Sequence, residues 1–340
     1  MEKTSFTFKL TDEQRESVTA LLQAGNYRPC KVPYTTIAVE AVSWNCNVNL
    51  YTSGKLLVQG KGAREFVLNI LEPMVLGVAL LGYEEVLNPE SVSPHLGTDE
   101  SGKGDFFGPM VIAAAYTNET LSHQMQKLGV KDSKQISSDQ QALKLGAEIR
   151  KLLGENRYVV VRIGNVTYNR LYAKMKSVNR LLSWGHARCI ENLLTLVPGC
   201  PRAVSDQFAS SKDAIERALM QKGKSIELVQ MHKAESDIAV AAASILARES
   251  FLRSLQQMAA LYGQTFPKGA SPQVQEAAVE LIKKKGPRIL MEVAKCHFRT
   301  TDAVLGATGF SRNDLPEEGQ VKSQESTGRT FKRTADKAQE

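Results

Sequence analysis

Cysteine, histidine and tryptophan are scarce in this chain: 5, 5 and 2 among 340 residues. The cysteines (Cys30, Cys46, Cys189, Cys200, Cys296) are scattered and odd in number, and none forms a CxxC pair. That spacing offers no cysteine metal site and no disulfide framework, and it fits a reduced, cytoplasmic protein with mostly buried thiols. No apolar run approaches the length of a membrane span, so no membrane partner is expected. The opening "MEKTSFTFKL" alternates and carries an acid early, so it does not read as a signal peptide. No coiled-coil repeat or obvious apolar interface patch stands out, and a monomer is expected.

What is present is the composition of a globular protein, 42% hydrophobic and 23% charged, with room for two domains. The net charge of +7 is unevenly spread. Residues 1–90 hold 8 Lys/Arg against 10 Asp/Glu, and residues 312–340 hold six of each, which leaves +9 on residues 91–311. A basic domain suggests a polyanionic partner, although basic charge alone fits an ordinary solvated surface equally well.

Hydrophobic periodicity divides the chain. "SFTFKL" reads as a strand, and "TDEQRESVTALLQAG" as a capped helix with a Gly stop. "TTIAVEAV", "NVNLYTS" and "KLLVQG" read as antiparallel strands, and "GAREFVLNILEPM" as a helix ended by Pro73. This is a small α+β layer over residues 1–80, one sheet face covered by helices and the other expected to be open. Arg28, Lys31, Lys55, Lys61 and Arg64 gather near its turns, either as a binding patch or as solubilising charge. Residues 81–94, with "NPESVSP", read as a linker.

From residue 95 strands and helices alternate, giving α/β with five strands and helices on both sides. "VNRLLSWGHARCIENLLTLV" reads as a long buried helix, and "DIAVAAASILARESFLRSLQQMAALYG" as another with a tightly packing Ala-rich half. Two more helices are expected around 272–285 and 287–296. The tail 312–340 is charged and poor in large apolar residues, the composition of a disordered segment.

Three strands, at 96–99, 202–206 and 226–233, each lead into acids: Asp99 with Glu100, then Asp206, then Glu235, with Asp237 two residues on. A single Asp at a strand end is usually a turn former or helix cap. Three acid-bearing strand ends in one basic domain point instead to a site, because ligands of open α/β sheets lie beyond strand ends. Carboxylates gathered there repel one another unless a cation joins them, and Mg2+ or Mn2+ takes such hard oxygen ligands. Two such ions about 3.5–4 Å apart can activate water and stabilise a leaving phosphodiester oxygen. Asp237 fits a helix cap, since the Ala-rich helix begins just after it. Asp105, Asp132 and Asp213 also fit turns or caps.

"GTDESGKGDFFGP" at 97–109 nearly matches a phosphate-binding loop. Gly104, however, stands where a Ser or Thr must hold magnesium, Asp99 and Glu100 would face the phosphates, and a strand follows instead of a helix. A nucleotide triphosphatase is therefore disfavoured. The glycines keep a use without a nucleotide: Gly102 and Gly104 permit unusual backbone angles and close approach, and Lys103 adds a cation.

"GTDESGKGDFFGP", "KDSKQIS", "VSDQF" and "HKAES…AVAAASILAR" occur in this order and resemble the ribonuclease HII/HIII family, its bacterial HIII branch in particular, over roughly 95–300. Strand–"TSGK"–strand–Gly–helix in the first domain resembles one half-repeat of the TATA-box-binding protein, which fits that branch's N-terminal substrate-binding domain. The resemblance implies a ribonuclease H-like catalytic domain over 95–311, with a five-stranded mixed sheet and flanking helices. It also implies hydrolysis of the RNA strand of RNA–DNA hybrids, leaving 5′-phosphate and 3′-hydroxyl ends.

By the same resemblance, Asp99, Glu100, Asp206 and Glu235 are the catalytic carboxylates and metal ligands. Asp99 bridges two ions, Asp206 and Glu235 complete opposite sides, and Glu100 also senses the 2′-OH. Asp237 is the competing choice for the fourth acid. Gly102, Lys103 and Gly104 hold substrate where HII relatives have Gly-Arg-Gly, and Lys keeps the charge but loses the bidentate fork. Ser133 and Lys134 contact the substrate backbone. His232 and His297 are read as packing residues more than proton shuttles, Trp184 as core, and Trp44 as either core or a stacking platform. A non-catalytic nucleic-acid-binding protein of the same fold is the alternative, and intact acids at every matched position argue against it.

Overall fold

The computed structural model describes residues 4–77, 91–130, 136, 138–206, 213–231 and 234–323. The chain divides into two compact units between Ser91 and Val92.

In the first unit, β1 (Ser5–Lys9) leads to α1 (Asp12–Ala24), whose start is set by a capping box. Gln14 N–H donates to Thr11 Oγ1 (3.3 Å) and Thr11 N–H to Gln14 Oε1 (3.1 Å), which satisfies two of the amides that a helix start leaves unpaired. The strands β2 (Arg28–Pro29), β3 (Thr35–Ala41), β4 (Cys46–Tyr51) and β5 (Lys55–Gly60) complete an antiparallel sheet in the order β1-β5-β4-β3-β2. Period-2 alternation sends Val48, Leu50, Leu56 and Val58 inward, where they meet Val18, Leu22 and Phe66. Trp44 packs edge-on to Phe66 (centroids 6.1 Å) and belongs to this core.

The last helix, α2, begins at Ala63–Phe66 and does not stop at Pro73 as expected. From Val67 it widens to π-type winding and continues to Leu76, where Gly77 closes it at φ 67°. Proline lacks an N–H and its ring collides with the carbonyl four residues back; a wider turn relieves both conflicts.

The second unit is built on a mixed sheet ordered β10-β9-β6-β7-β8. Its strands are β6 (His95–Ser101), β7 (Met110–Thr117), β8 (Tyr158–Ile163), β9 (Arg202–Asp206) and β10 (Glu227–Met231). β6, β7 and β8 form an antiparallel meander, whereas β9 and β10 run parallel to β6. The connecting helices are α3 (Glu119–Lys127), α4 (Asp139–Leu153), α5 (Asn165–Met175), α6 (Val178–Leu196), α7 (Ile238–Tyr262), α8 (Pro272–Lys285) and α9 (Arg299–Ala307).

Two apolar cores lie on opposite faces of the sheet. One joins α4, α7 and α8 to Val111, Ala113 and Ala115, and the other joins α5 and α6 to Ile112 and Ala114. Alanine at 239, 241, 242, 243 and 247 keeps the buried half of α7 slim. Its start lies so close to β6 that a Cβ on Gly97 would stand 2.2 Å from the Val240 amide nitrogen.

Two helical readings need correction. Among its described residues, "SKDAIERALMQKG" yields the single α-helical turn Asp213–Glu216, and a further short turn at Gly223–Ser225 starts at its last residue. Where one helix was expected at 287–296, short turns at Pro287–Ile289 and Leu290–Val293 precede α9, which the sequence reading did not anticipate. The expected disorder from 312 does not hold for residues 312–323. Arg312 is buried, donates to the carbonyls of Cys296, Gly319, Val321 and Phe298, and pairs with Asp302. One planar guanidinium fastens the segment despite its polar composition. Residues 324–340 of that tail, and 81–90 of the linker, lie outside the described residues.

Candidate active site

β6 ends in Thr98-Asp99-Glu100-Ser101, and β9 runs alongside it with Thr98 opposite Ser205. One residue further, Asp99 and Asp206 leave neighbouring parallel strands at the same sheet end. β10 lies beyond, with Met231 opposite Asp206, and the turn Ala234–Ser236 follows it. Three acid-bearing segments thus leave one end of the sheet. Glu235 sits in that turn, but its side chain, like Ser133, Lys134 and His232, lies outside the described residues. Among the described residues no three His, Cys, Asp or Glu side chains already converge as a metal cluster.

Asp99 and Glu100 are consecutive, yet they ionise differently. Burial, then the adjacent Glu100 charge, holds the Asp99 carboxyl well above the usual range, against hydrogen bonds from Ser244 and from the Glu100 amide (2.8 Å). Glu100 is shifted the other way. Burial opposes its charge, but His186 and then Lys103 outweigh that and hold it low. His186 Nε2 donates to Glu100 Oε2 (3.1 Å), and its Nδ1 is bonded to Thr98 Oγ1 (2.8 Å). Lys103 Nζ stands 3.7 Å from Glu100 Oε1. The pair is a hard-oxygen site whose inner carboxylate is disfavoured by its surroundings. A divalent cation fits such a donor set and would relieve that cost.

The turn after β6 uses its glycines differently. Gly102 has φ 90°, and a Cβ there would stand 2.4 Å from Pro109 O, so the turn requires glycine. Gly104 has ordinary φ and open space where a Cβ would point. The fold leaves that spot bare, contrary to the expectation that both glycines serve unusual backbone angles.

Comparison with known proteins agrees with this architecture. The family model described as Ribonuclease HII matches residues 96–301. Ribonuclease HIII of Protochlamydia amoebophila is 42% identical over 276 residues, covering 81% of this chain and 88% of the relative. Ribonuclease HIII of Chlamydia pneumoniae is 37% identical over 300 residues, covering 88% and 97%. The chain belongs to the ribonuclease HII family, in its HIII branch. It is an endoribonuclease, a hydrolase. Among solved structures, Bst-RNase HIII in complex with Mn2+ superposes with TM-score 0.61 at 27% identity, covering 90% of this chain and 99% of that one. Ribonuclease H2 of Pyrococcus horikoshii OT3 shares the fold, with TM-score 0.52 at 22% identity over 64% of this chain and 99% of that one. Among the described residues of this ribonuclease, no helix is long and apolar enough to cross a membrane.

Asp237, weighed as the fourth acid, has both oxygens engaged at the start of α7. Oδ1 accepts from the amides of Ala239 (2.9 Å) and Val240 (3.0 Å), and Oδ2 is bonded to His95 Nε2 (2.9 Å). His297 is stacked on Tyr172 (4.2 Å), and burial pushes its imidazole down to about 3, so it carries no charge at neutral pH. His186 was missed. The signal was a histidine on the buried face of α6, between Leu182 and Cys189, where an imidazole needs a polar partner.

Proposed function

We propose that this ribonuclease cleaves the RNA strand of RNA–DNA hybrids internally, leaving 5′-phosphate and 3′-hydroxyl ends. The observation that carries the reading is that the segments bearing Asp99-Glu100, Asp206 and Glu235 all leave one end of the sheet, beside a glycine turn bearing Lys103. Asp99, Glu100, Asp206 and Glu235 would hold Mg2+ or Mn2+, two ions in the reacting complex, and the Mn2+ complex of the similar Bst-RNase HIII favours such a cofactor. When bound, the ions supply a water nucleophile and charge neutralisation at the leaving oxygen.

The chain's own groups do the positioning. Gly104 leaves its backbone open to a sugar or phosphate, and Lys103 places a cation beside that phosphate. Ser133 and Lys134 would add backbone contacts. Glu100, aimed by His186, is placed to accept the 2′-OH that distinguishes RNA from DNA. The test is a labelled RNA–DNA hybrid with and without Mg2+ or Mn2+. Cutting of the RNA strand only with metal supports the reading; binding without cutting in either metal defeats it.

His186 is a lever on Glu100. His186→Ala should raise the metal concentration for half-maximal cleavage by about 10- to 100-fold, the usual effect of losing a partner of a ligating carboxylate. Metal titration of cleavage checks it, and an unchanged midpoint would detach His186 from the site.

We further propose that residues 1–80 bind substrate, as the half-repeat resemblance suggests. The outward sheet face carries Thr7, Lys9, Asn47, Lys55 and Gln59, all exposed and able to bond a nucleic-acid backbone or groove edge. Arg28 pairs with Glu40 (3.1 Å), which lowers its claim to that role. Deleting residues 1–80 should weaken hybrid binding and flatten its salt dependence while cleavage at saturating hybrid survives. Equal affinity and equal salt slope in the shortened chain would rule the role out.

A further inference from the structure

Lys295 has no part in the chemistry above, yet no atom of its side chain reaches solvent. A lysine is almost never fully buried unless its charge has partners. Here Nζ donates to three carbonyls, of Asp105 (2.8 Å), Phe107 (3.4 Å) and Gly108 (2.7 Å). The three donors of one ammonium meet three acceptors within four residues of one loop. That loop follows directly on Gly102-Lys103-Gly104, to which it is tied by the Asp105 amide donating to Gly102 O (3.4 Å).

The rest of the surroundings hold the same loop. Lys295 N–H donates to Phe106 O (2.9 Å), and Gly108 N–H donates to Val293 O (3.0 Å). Asn165 Nδ2 also donates to Gly108 O (2.8 Å), and Asp105 Oδ1 accepts from Gly269 N–H (2.6 Å). Burial pushes the Lys295 amine down to about 7, but carbonyl dipoles converging on one point favour its charged form, and the curvature of the loop depends on the three hydrogen bonds that Nζ donates. Asp99 and Glu100, by contrast, are fixed by pairing with Ala113 and Ile112 on β7.

We propose that Lys295 is a positioning residue: it shapes the 105–108 loop from inside and thereby sets where Gly102-Lys103-Gly104 meets the substrate backbone. The inference rests on the reading of that triplet as a substrate contact. Because this contact is made equally in the bound substrate and the transition state, its loss falls on KM and spares kcat.

The test is steady-state cleavage of an RNA–DNA hybrid by the full chain carrying Lys295→Met, with Lys103→Met in parallel and thermal stability recorded for each. Lys295→Met should raise KM about tenfold, leave kcat within about twofold and leave the metal midpoint unchanged. A folded Lys295→Met protein with unaltered KM overturns the proposal, whatever its melting temperature. If Lys295→Met does not fold, Asn165→Ala decides: a KM raised about threefold supports the proposal and an unchanged KM overturns it. Raised KM in Lys103→Met but not in Lys295→Met sinks this inference alone. Unchanged KM in Lys103→Met sinks the triplet reading and this inference with it.

Discussion

Asp99→Asn is expected to abolish cleavage, by on the order of a thousandfold or more in kcat, while binding of the hybrid persists. The substitution keeps shape and hydrogen-bonding capacity but removes a charge. Among the described acids, Asp99 is the one whose ionised form is disfavoured by its own surroundings, through burial and the neighbouring Glu100. A carboxylate kept there at such cost is one a cation must compensate, and an amide cannot take that part. Asp206→Asn, on the adjacent strand, should behave alike. Single-turnover cleavage together with a gel-shift titration separates loss of chemistry from loss of binding. Near-normal rates in either variant would remove these carboxylates from the reaction.

Gly97→Ala is expected to lower stability by about 3 kcal/mol, the upper end for overpacking a close contact. For a unit of this size that is a fall of roughly 6–12 °C in Tm. The added methyl would stand 2.2 Å from Val240 N and 2.4 Å from Ala239 C. Both obstacles are backbone at the capped start of α7, so no side chain can swing aside. Gly104→Ala, seven residues beyond Gly97, should leave Tm within about 1 °C because nothing stands within 4 Å of the new methyl. Thermal denaturation of the two variants checks both, and an unshifted Tm in Gly97→Ala would mean that α7 does not press on β6 as described.

That contrast shows what could be read in the sequence. Asp99 and Asp206 were legible because short strand-like segments run into acids, and five strands flanked by helices followed from the alternation of elements, whereas the mixed sheet came from the family resemblance. Gly97 and Gly104 looked alike as parts of a loop motif. Only packing separates a glycine demanded by a crossing helix from one that leaves room outside. Lys295 was invisible for the same reason, and the buried face of α6 could flag His186 but not name its partner: these contacts reach about 190 and 86 residues along the chain, and no local pattern encodes them. Pro73 misled because the rule that proline ends a helix assumes ordinary winding. The charged composition of 312–323 hid one buried arginine that organises the segment.

The parallel arrangement of β6, β9 and β10 also sets an order of assembly. The meander β6-β7-β8 uses contacts between neighbours in the chain and can form as soon as residue 163 has been made. The segment bearing Asp206 is brought beside Asp99 only when β9 pairs with the far edge of β6, and the Glu235 turn is brought to that sheet end only when β10 pairs with β9. Such long-range parallel pairing is the slow part of folding. A partly synthesised chain on the ribosome, surrounded by RNA, therefore holds its first two acids without the others. The proposed hydrolytic centre comes together only once residue 235 has emerged, so the topology itself delays its completion until well after the meander has been made.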